Sequence, residues 1–266
     1  MRAAVIGHVE WVQFAEVERI PEPGEIVSAA EWWEEPAGGG GVAAVQLLRL
    51  TGACAFYTAL GDDAYGRRAH DELAAQGLDI QATFRPEPQR RAFTYLDAEH
   101  ERTITILGPK IHPHGSDPLA WDALAGIDAV YFCAGDADAL RAARRARALV
   151  ATARELPTLR EAGVELDALV ASREDPAERY EPGDLDPPPR LVVQTSGSEG
   201  GEYEPGGGSW PPAEIPGPVR DAYGAGDSFA AGLAFALGAG RPPEEAVRVA
   251  AEQGALALTR RGAHGR

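Results

Sequence analysis

The sequence predicts an α/β fold with a parallel central sheet, held in one large domain. Three observations predict it. Short apolar runs suited to buried strands alternate with longer stretches of helical spacing, the pattern that gives a parallel sheet covered by helices. Several of those runs end in glycine-bearing turns that open onto a helix. One β-rich stretch, Arg91 to Ile106, has no helix between its two strands and reads as a hairpin about the polar turn Ala98 to Glu101.

The elements follow in order. Ala3 to Ile6 is a short apolar run ending at Gly7, a buried first strand. Gly38-Gly39-Gly40-Gly41 leads into Val42 to Leu50, where Val42, Val45 and Leu48 mark a helix face. Cys54 to Leu60 is the next strand, and after Gly61-Asp62-Asp63 a helix runs to Gln76 and stops at Gly77. The acidic pair there suits a helix cap better than a metal site. Asp128 to Cys133 is a strand, and Ala137 to Arg154 is expected to be one helix carrying Arg141, Arg144, Arg145 and Arg147. Leu166 to Ala171 and Arg190 to Gln194 are further strands. Two helices close the chain, Phe229 to Leu237 and Pro243 to Leu258.

Composition narrows the function classes. A net charge of −16 disfavours nucleic acid and anionic membranes as partners. Lys110 is the only lysine, and Ile111 follows it, so no Gly-Lys-Ser/Thr phosphate loop is present. A protein kinase's His-Arg-Asp loop is missing as well. Cys54 and Cys133 lie in apolar runs and read as buried filler, without a disulfide framework. No signal-peptide pattern and no apolar run near 18 residues is found, so the expectation is a soluble, cytoplasmic protein. His112-Pro113-His114 is the one close histidine pair, and its proline-bearing loop makes weak metal evidence. Trp32-Trp33 suits packing, or stacking on a ring-shaped ligand.

The stretch with most chemistry is Asp221-Ala222-Tyr223-Gly224-Ala225-Gly226-Asp227-Ser228-Phe229. Its glycines make a tight turn into a helix start, where free backbone amides and the helix dipole favour an anion. A carboxylate there can take a proton from an attacking hydroxyl while the amides hold charge on a transferring phosphoryl group. Asp is also an ordinary helix cap, so the turn alone leaves a structural reading open. The whole stretch resembles the second signature of the ribokinase-like (PfkB) kinases, Asp-Thr-x-Gly-Ala-Gly-Asp-x-Phe, with Ala222 at the threonine position.

The resemblance extends over nearly the whole chain with motifs in the family's order. It implies a ribokinase-like three-layer sandwich with a mostly parallel central sheet and a small β-sheet lid, formed by insertions at about 10–36 and 80–107 of a single domain spanning 1–266. It implies Asp227 as the base and Gly224, Ala225 and Gly226 as the anion-holding turn. Thr195, Ser196, Gly197 and Gly200 fall on the family's nucleotide turn, Thr-x-Gly-x-x-Gly. Gly38, Gly39 and Gly41 match the acceptor-binding glycine signature, but Ala43 stands at its asparagine. The family's hydroxyl-gripping aspartate falls on Val12. Glu10, on the same side of an extended strand, is either its substitute or a solvated charge. The acceptor site is therefore assigned to Glu10, Gly39, Gly40 and Asp227. The family's Asn-x-x-Glu becomes Ser172 and Asp175, which makes Asp175 a candidate Mg²⁺ contact with Glu178 nearby. Asp221 is a candidate for a monovalent cation such as K⁺. Arg102 falls on an arginine position of the lid, and Thr259 to Ala263 on the closing Thr-Arg-x-Gly-Ala.

The implied activity is ATP- and Mg²⁺-dependent phosphorylation of a hydroxyl on a sugar or related small alcohol, with a homodimer through the lid. Two alternatives stay open: a nucleoside kinase, and a non-catalytic sugar- or nucleotide-binding member, favoured by Val12, Ala43 and Ser172. An NAD-dependent oxidoreductase needs a Gly-x-Gly-x-x-Gly after a strand, and the Trp-Trp-Glu-Glu-Pro before Gly38 does not supply it.

Overall fold

A computed structural model describes residues 1–265. The chain runs β1 (Ala3–Ile6), β2 (Glu10–Glu16), β3 (Glu31–Ala37), α1 (Gly38–Thr51), β4 (Cys54–Gly61), α2 (Ala64–Ala75), β5 (Asp79–Arg85), β6 (Arg91–Leu96) and β7 (Arg102–Leu107). It continues with β8 (Ala129–Phe132), α3 (Ala137–Ala143), β9 (Ala148–Thr152), α4 (Leu156–Ala162), β10 (Ala168–Ser172), β11 (Val192–Thr195), β12 (Gly201–Glu204), β13 (Gly208–Trp210), α5 (Ala225–Gly238) and α6 (Pro243–Ala257).

The main sheet has the order β13-β12-β11-β10-β9-β8-β1-β4-β5. Its strands are parallel from β5 to β11, and β12 and β13 add an antiparallel edge. The two-residue period of a strand sends alternate side chains to opposite faces. Ala3 and Val5 therefore join the core under α1, α2, α5 and α6, while Ala4 and Ile6 join the core under α3 and α4. Both faces are covered, which explains why these strands read as unbroken apolar runs.

Chain order reverses at β1. From it the chain proceeds outward to β4 and β5 on one side, and from β8 to β11 on the other. Such a switch point leaves a crevice at the carboxyl ends of its strands, where α/β proteins place their ligands. Here those ends are Gly7-His8 after β1 and Cys133 after β8.

The second sheet, β3-β2-β6-β7, is the lid. Its pairs are antiparallel except β2 with β6. Val12 and Phe14 on its inner side pack with Val42 of α1, Tyr223 and Ala263. Phe14 also stacks on Trp33 at 4.8 Å, which puts Trp33 in a packing role. Its neighbour Trp32 is 71% exposed.

One expected element differs. The helix anticipated over 137–154 is a short α3 followed by the strand β9. Ala148 to Thr152 is buried along its whole length between β8 and β10, so sheet burial overrides helical propensity there. The arginines that looked like one solvated face instead close this α-to-β junction. Arg144 donates to the Glu165 and Ala146 carbonyls and pairs with Asp167, and Arg145 pairs with Asp122. A smaller difference concerns the four glycines, which form the first turn of α1 rather than a loop before it.

Candidate active site

The site lies where α1 and α5 start, over the switch point. Gly224 enters α5 with φ 75°, a left-handed conformation that glycine adopts without strain. The first intrahelical bond of α5 runs from Ser228 N to the Gly224 carbonyl, so the amides of Ala225, Gly226 and Asp227 precede it. No side chain caps this helix start. Asp227 stands in its first turn.

The glycines of the first turn of α1 face three different residues: Gly38 faces Glu10, Gly39 faces Asp227 and Gly40 faces His8. A methyl group built on Gly39 would lie 2.8 Å from Asp227 Oδ1, and one on Gly38 would lie 3.1 Å from Glu10 Cγ. Gly40 is packed against His8, whose carbonyl oxygen would be 2.6 Å from such a methyl. Glu10, Gly39, Gly40 and Asp227 thus meet in one place. Tyr223 ties the two helix starts together, because its hydroxyl oxygen accepts from Gly38 N at 3.3 Å. From the lid, Arg102 donates to the Ala222 carbonyl and so rests on the signature turn.

Electrostatics suit a base. Dense packing around Asp227 pushes its carboxyl up to about 6, with Glu178 adding to the rise, while His8, Arg102 and Arg154 pull it back. Glu10 is shifted the other way. Burial opposes its ionisation, yet His8 and Arg90 together outweigh that and hold its carboxyl below the ordinary value. Val12 and Ala43, at positions where the family resemblance implies polar side chains, are both buried in apolar cores. Lys110 pairs with Glu155 at 2.6 Å.

The remaining candidates sit around this centre. Thr195 ends β11 and donates to the Ala171 carbonyl, and Ser196 N donates to Gly200 O across the β11–β12 turn. Gly197 and Gly200 have φ 49° and 89°, which the tight turn requires. Gly200 abuts Trp210, which stacks on Phe229 of α5 with ring centroids 5.8 Å apart, so this turn is braced against α5. Asp175 accepts from Ala177 N and pairs with Arg154, which also pairs with Glu178 at 2.8 Å. Asp221 is buried and accepts from Tyr223 N at 2.7 Å and Gly262 N at 2.6 Å. It therefore joins the signature turn to the closing Thr-Arg-x-Gly-Ala segment.

Residues 2–156 and 156–265 match the pfkB family of carbohydrate kinases. The chain belongs to that family. Among curated relatives, an ATP-dependent ribose-1-phosphate kinase of Halopiger xanaduensis is 28% identical over 277 residues, covering 99% of this chain and 94% of the relative. Among solved structures, Arabidopsis thaliana ribokinase complexed with ribose and ATP shares the fold with a TM-score of 0.74 at 21% identity, covering 98% of this chain and 93% of its own. A microbiome-derived acarbose kinase reaches 0.81 at 24% identity, covering 99% and 94%. The pfkB kinase fold is thus shown over the full described length, lid included.

Three pfkB-site neighbours escaped the motif reading: His8, Arg90 and Tyr223. Tyr223 lies inside the signature at an unspecified position. His8 follows the first strand at the switch point, a place that topology marks and the motif does not. Arg90 just precedes β6, and only the lid's register brings it to Glu10.

Proposed function

We propose that this pfkB carbohydrate kinase uses Asp227 to deprotonate a hydroxyl of a sugar or related small alcohol. The freed oxygen attacks the γ-phosphorus of ATP, the bond from that phosphorus to the ADP oxygen breaks, and ADP leaves. The amides of the Gly224, Ala225 and Gly226 turn, with that of Asp227 beside them, would hold the charge that builds on the transferring group. The observation that supports this most is the close approach of Gly39 to Asp227, a carboxylate held near 6 in the first turn of α5. A base with that value is ionised at neutral pH yet still basic enough to accept a proton. The same carboxylate weighs against the non-catalytic alternative, since simple binding needs no such group.

We assign the nucleotide turn to Thr195, Ser196, Gly197 and Gly200, and the acceptor to Glu10, Gly39 and Gly40. Mg²⁺ fits the residues present. Among the described residues no group of three or more His, Cys, Asp or Glu is arranged to hold a metal. Mg²⁺ on a nucleotide needs only one or two carboxylates besides phosphate and water oxygens. Asp175 and Glu178 would supply those, sharing Arg154 as their counter-charge. The ion would neutralise charge between the β- and γ-phosphates. Asp221, buried with only amide donors on its oxygens, is the residue we assign to a monovalent cation such as K⁺.

We further assign the protein to the cytoplasm; no described helix is long and apolar enough to cross a membrane. The outer lid, with Trp32 exposed and β7 open along its length, is the surface we assign to a homodimer. Sedimentation velocity checks this, and a monomer at micromolar concentration rejects it.

The deciding experiment is ADP release from ATP and Mg²⁺ across a panel of sugars, sugar phosphates and nucleosides. Ribose and ribose 1-phosphate come first, given the name of the Halopiger relative. Turnover with a sugar supports the reading. Turnover with nucleosides alone moves the protein to the nucleoside kinases, and tight binding without turnover leaves a binding protein.

A further inference from the structure

A recess lies behind the β11–β12 turn, on the sheet face away from α5 and α6. Val192 of β11 packs toward the α3/α4 core, whereas Val193 and Tyr203 join the core on the other face. The two-residue period therefore puts Gln194 of β11 on the same face as Val192. The antiparallel register sets Glu204 opposite Val192 and Glu202 opposite Gln194, so both carboxylates share that face. No helix covers the sheet here. Helices α3 and α4 precede β10, and residues 179–190 after it cross this face without helix or strand. A cavity of about 350 Å³ remains between that segment and the sheet. Pro182, Pro188 and Pro189 wall it from the segment and Pro205 from the hairpin, and Tyr180 and Val192 complete the apolar lining. That volume is in the range of small-molecule sites.

The polar groups of this cavity are mostly acceptors. Proline has no N–H, so its walls offer ring faces and carbonyls but no backbone donor. Glu202, Glu204 and the Gln194 side-chain oxygen add further acceptors. The one charged donor, Arg173, is already engaged: its Nη2 is 2.5 Å from Glu202 Oε2 and its Nε 3.3 Å from Gln194 Oε1. Glu204 has no hydrogen-bond or ion-pair partner among the described residues. Arg173 and Glu202 cancel, which leaves one net negative charge on a largely apolar cavity. Such a lining attracts a cation with an apolar body and repels an anion. A nucleotide is the wrong ligand for it.

We propose that this cavity binds a small organic cation, an ammonium or amidinium on an apolar or aromatic body, and that its occupancy changes nucleotide affinity at the adjoining turn. The cationic group pairs with Glu204 and competes with Arg173 for Glu202, while the body lies against the proline rings and Tyr180. The route to the turn is short. The Gln194–Glu202 pair is followed directly by Thr195–Gly201, which closes the turn. Arg173 N donates to Thr195 O at 3.0 Å, and the carboxylate of the next residue, Glu174, fills the space where a methyl on Gly197 would stand. A ligand that frees the Arg173 head group thus acts on a segment that touches the turn at Thr195 and Gly197. The coupling rests on the assignment of that turn to the nucleotide; the binding does not.

Calorimetry on the full chain tests binding first, with benzamidine and tyramine as cations and benzoate as the anionic control. At least one cation is expected to bind saturably at about 0.1–1 mM, as about ten non-hydrogen atoms allow, and benzoate should not bind. Glu204→Gln should weaken cation binding about tenfold, the size of one charge-assisted bond. Val192→Phe, which fills the cavity, should abolish it; Glu204 is exposed, so its variant carries the test if Val192→Phe does not fold. No saturable binding of either cation, equal binding of benzoate, or unaltered affinity in Glu204→Gln overturns the proposal. ADP is then titrated with and without saturating cation, and a change in its affinity of about fivefold or more is expected. Cation binding with unchanged ADP affinity overturns the coupling. If ADP does not bind at all, the kinase reading is what fails, and the benzamidine and tyramine titrations still decide the cavity.

Discussion

Two helices, α1 and α5, begin at glycine-bearing turns side by side, and their glycines are there for different reasons. In α1 the glycines are wedged. A methyl on Gly40 would lie 2.6 Å from the His8 carbonyl oxygen and 2.8 Å from its nitrogen, both backbone atoms that cannot swing aside. In α5, Gly226 has nothing within 4 Å of where a methyl would stand, and its φ is not in the left-handed region. Packing requires glycine at position 40, and neither packing nor backbone conformation requires it at 226. What a bare residue at 226 leaves is an open amide beside Asp227. Helix α1 thus uses glycine to bring two backbones together, and α5 uses it to keep one uncovered.

The largest expected effect tests the transfer side. Asp227→Asn should lower kcat by roughly 10²–10⁴-fold, the usual contribution of a general base. A loss of tenfold or less rejects that role. In the wild type, kcat/KM should rise with pH through about 6 as Asp227 ionises. Stability should move the opposite way. The folded carboxyl holds its proton above the ordinary 3.8, so its stabilising contribution is complete below that value and is lost as pH rises through about 6. At pH 8 the ionised group is a cost, and Asp227→Asn should melt higher by about 1–3 kcal/mol of stability. A variant that is inactive and also less stable at pH 8 would mean that the carboxylate is structural.

Gly40→Ala should act on folding. With two backbone atoms inside van der Waals distance, β1 and α1 must separate, at about 3 kcal/mol or more. Thermal melting reads it, and a normal Tm would show that the packing of the acceptor helix is loose. Gly39→Ala is the intermediate case. The atom it meets is Asp227 Oδ1, the end of a side chain that can rotate. The expected outcome is a near-normal Tm with kcat lowered about 10- to 100-fold, because a displaced base loses its alignment. A fall in Tm equal to that of Gly40→Ala would erase the distinction between the two positions.

This contrast also marks how far the sequence was legible. The signature turn could be read as a family motif because its residues are contiguous: one nine-residue stretch holds the glycine turn, Asp227 and the Asp221 brace. Strands β1, β4 and β8 could be read because burial on both faces leaves continuous apolar runs. The junction at 144–148 could not, since alanine and arginine favour a helix and only the neighbouring strands make 148–152 a strand. The acceptor corner was half legible. Glu10 and the glycines each fall on a motif readable along the chain, and the β2–β3 pairing joins them, but Arg90 arrives through parallel pairing of β2 with β6, a contact between residues 80 apart that no local pattern encodes.

Gly226→Ala carries the smallest effect and the sharpest test. Alanine is a better helix former than glycine by about 0.5–1 kcal/mol, and space for its methyl exists. Were position 226 merely structural, Gly226→Ala would be more stable and fully active. If the bare amide holds the transferring phosphoryl group, the added methyl crowds that approach. The expected outcome is an unchanged or slightly raised Tm together with a kcat lowered up to about tenfold, less than one lost oxyanion donor costs because the N–H itself remains. Unaltered kcat at a raised Tm would move the anion-holding function off Gly226 and onto its neighbours at 225 and 227. A lowered Tm would show instead that the first turn of α5 is as tightly packed as that of α1.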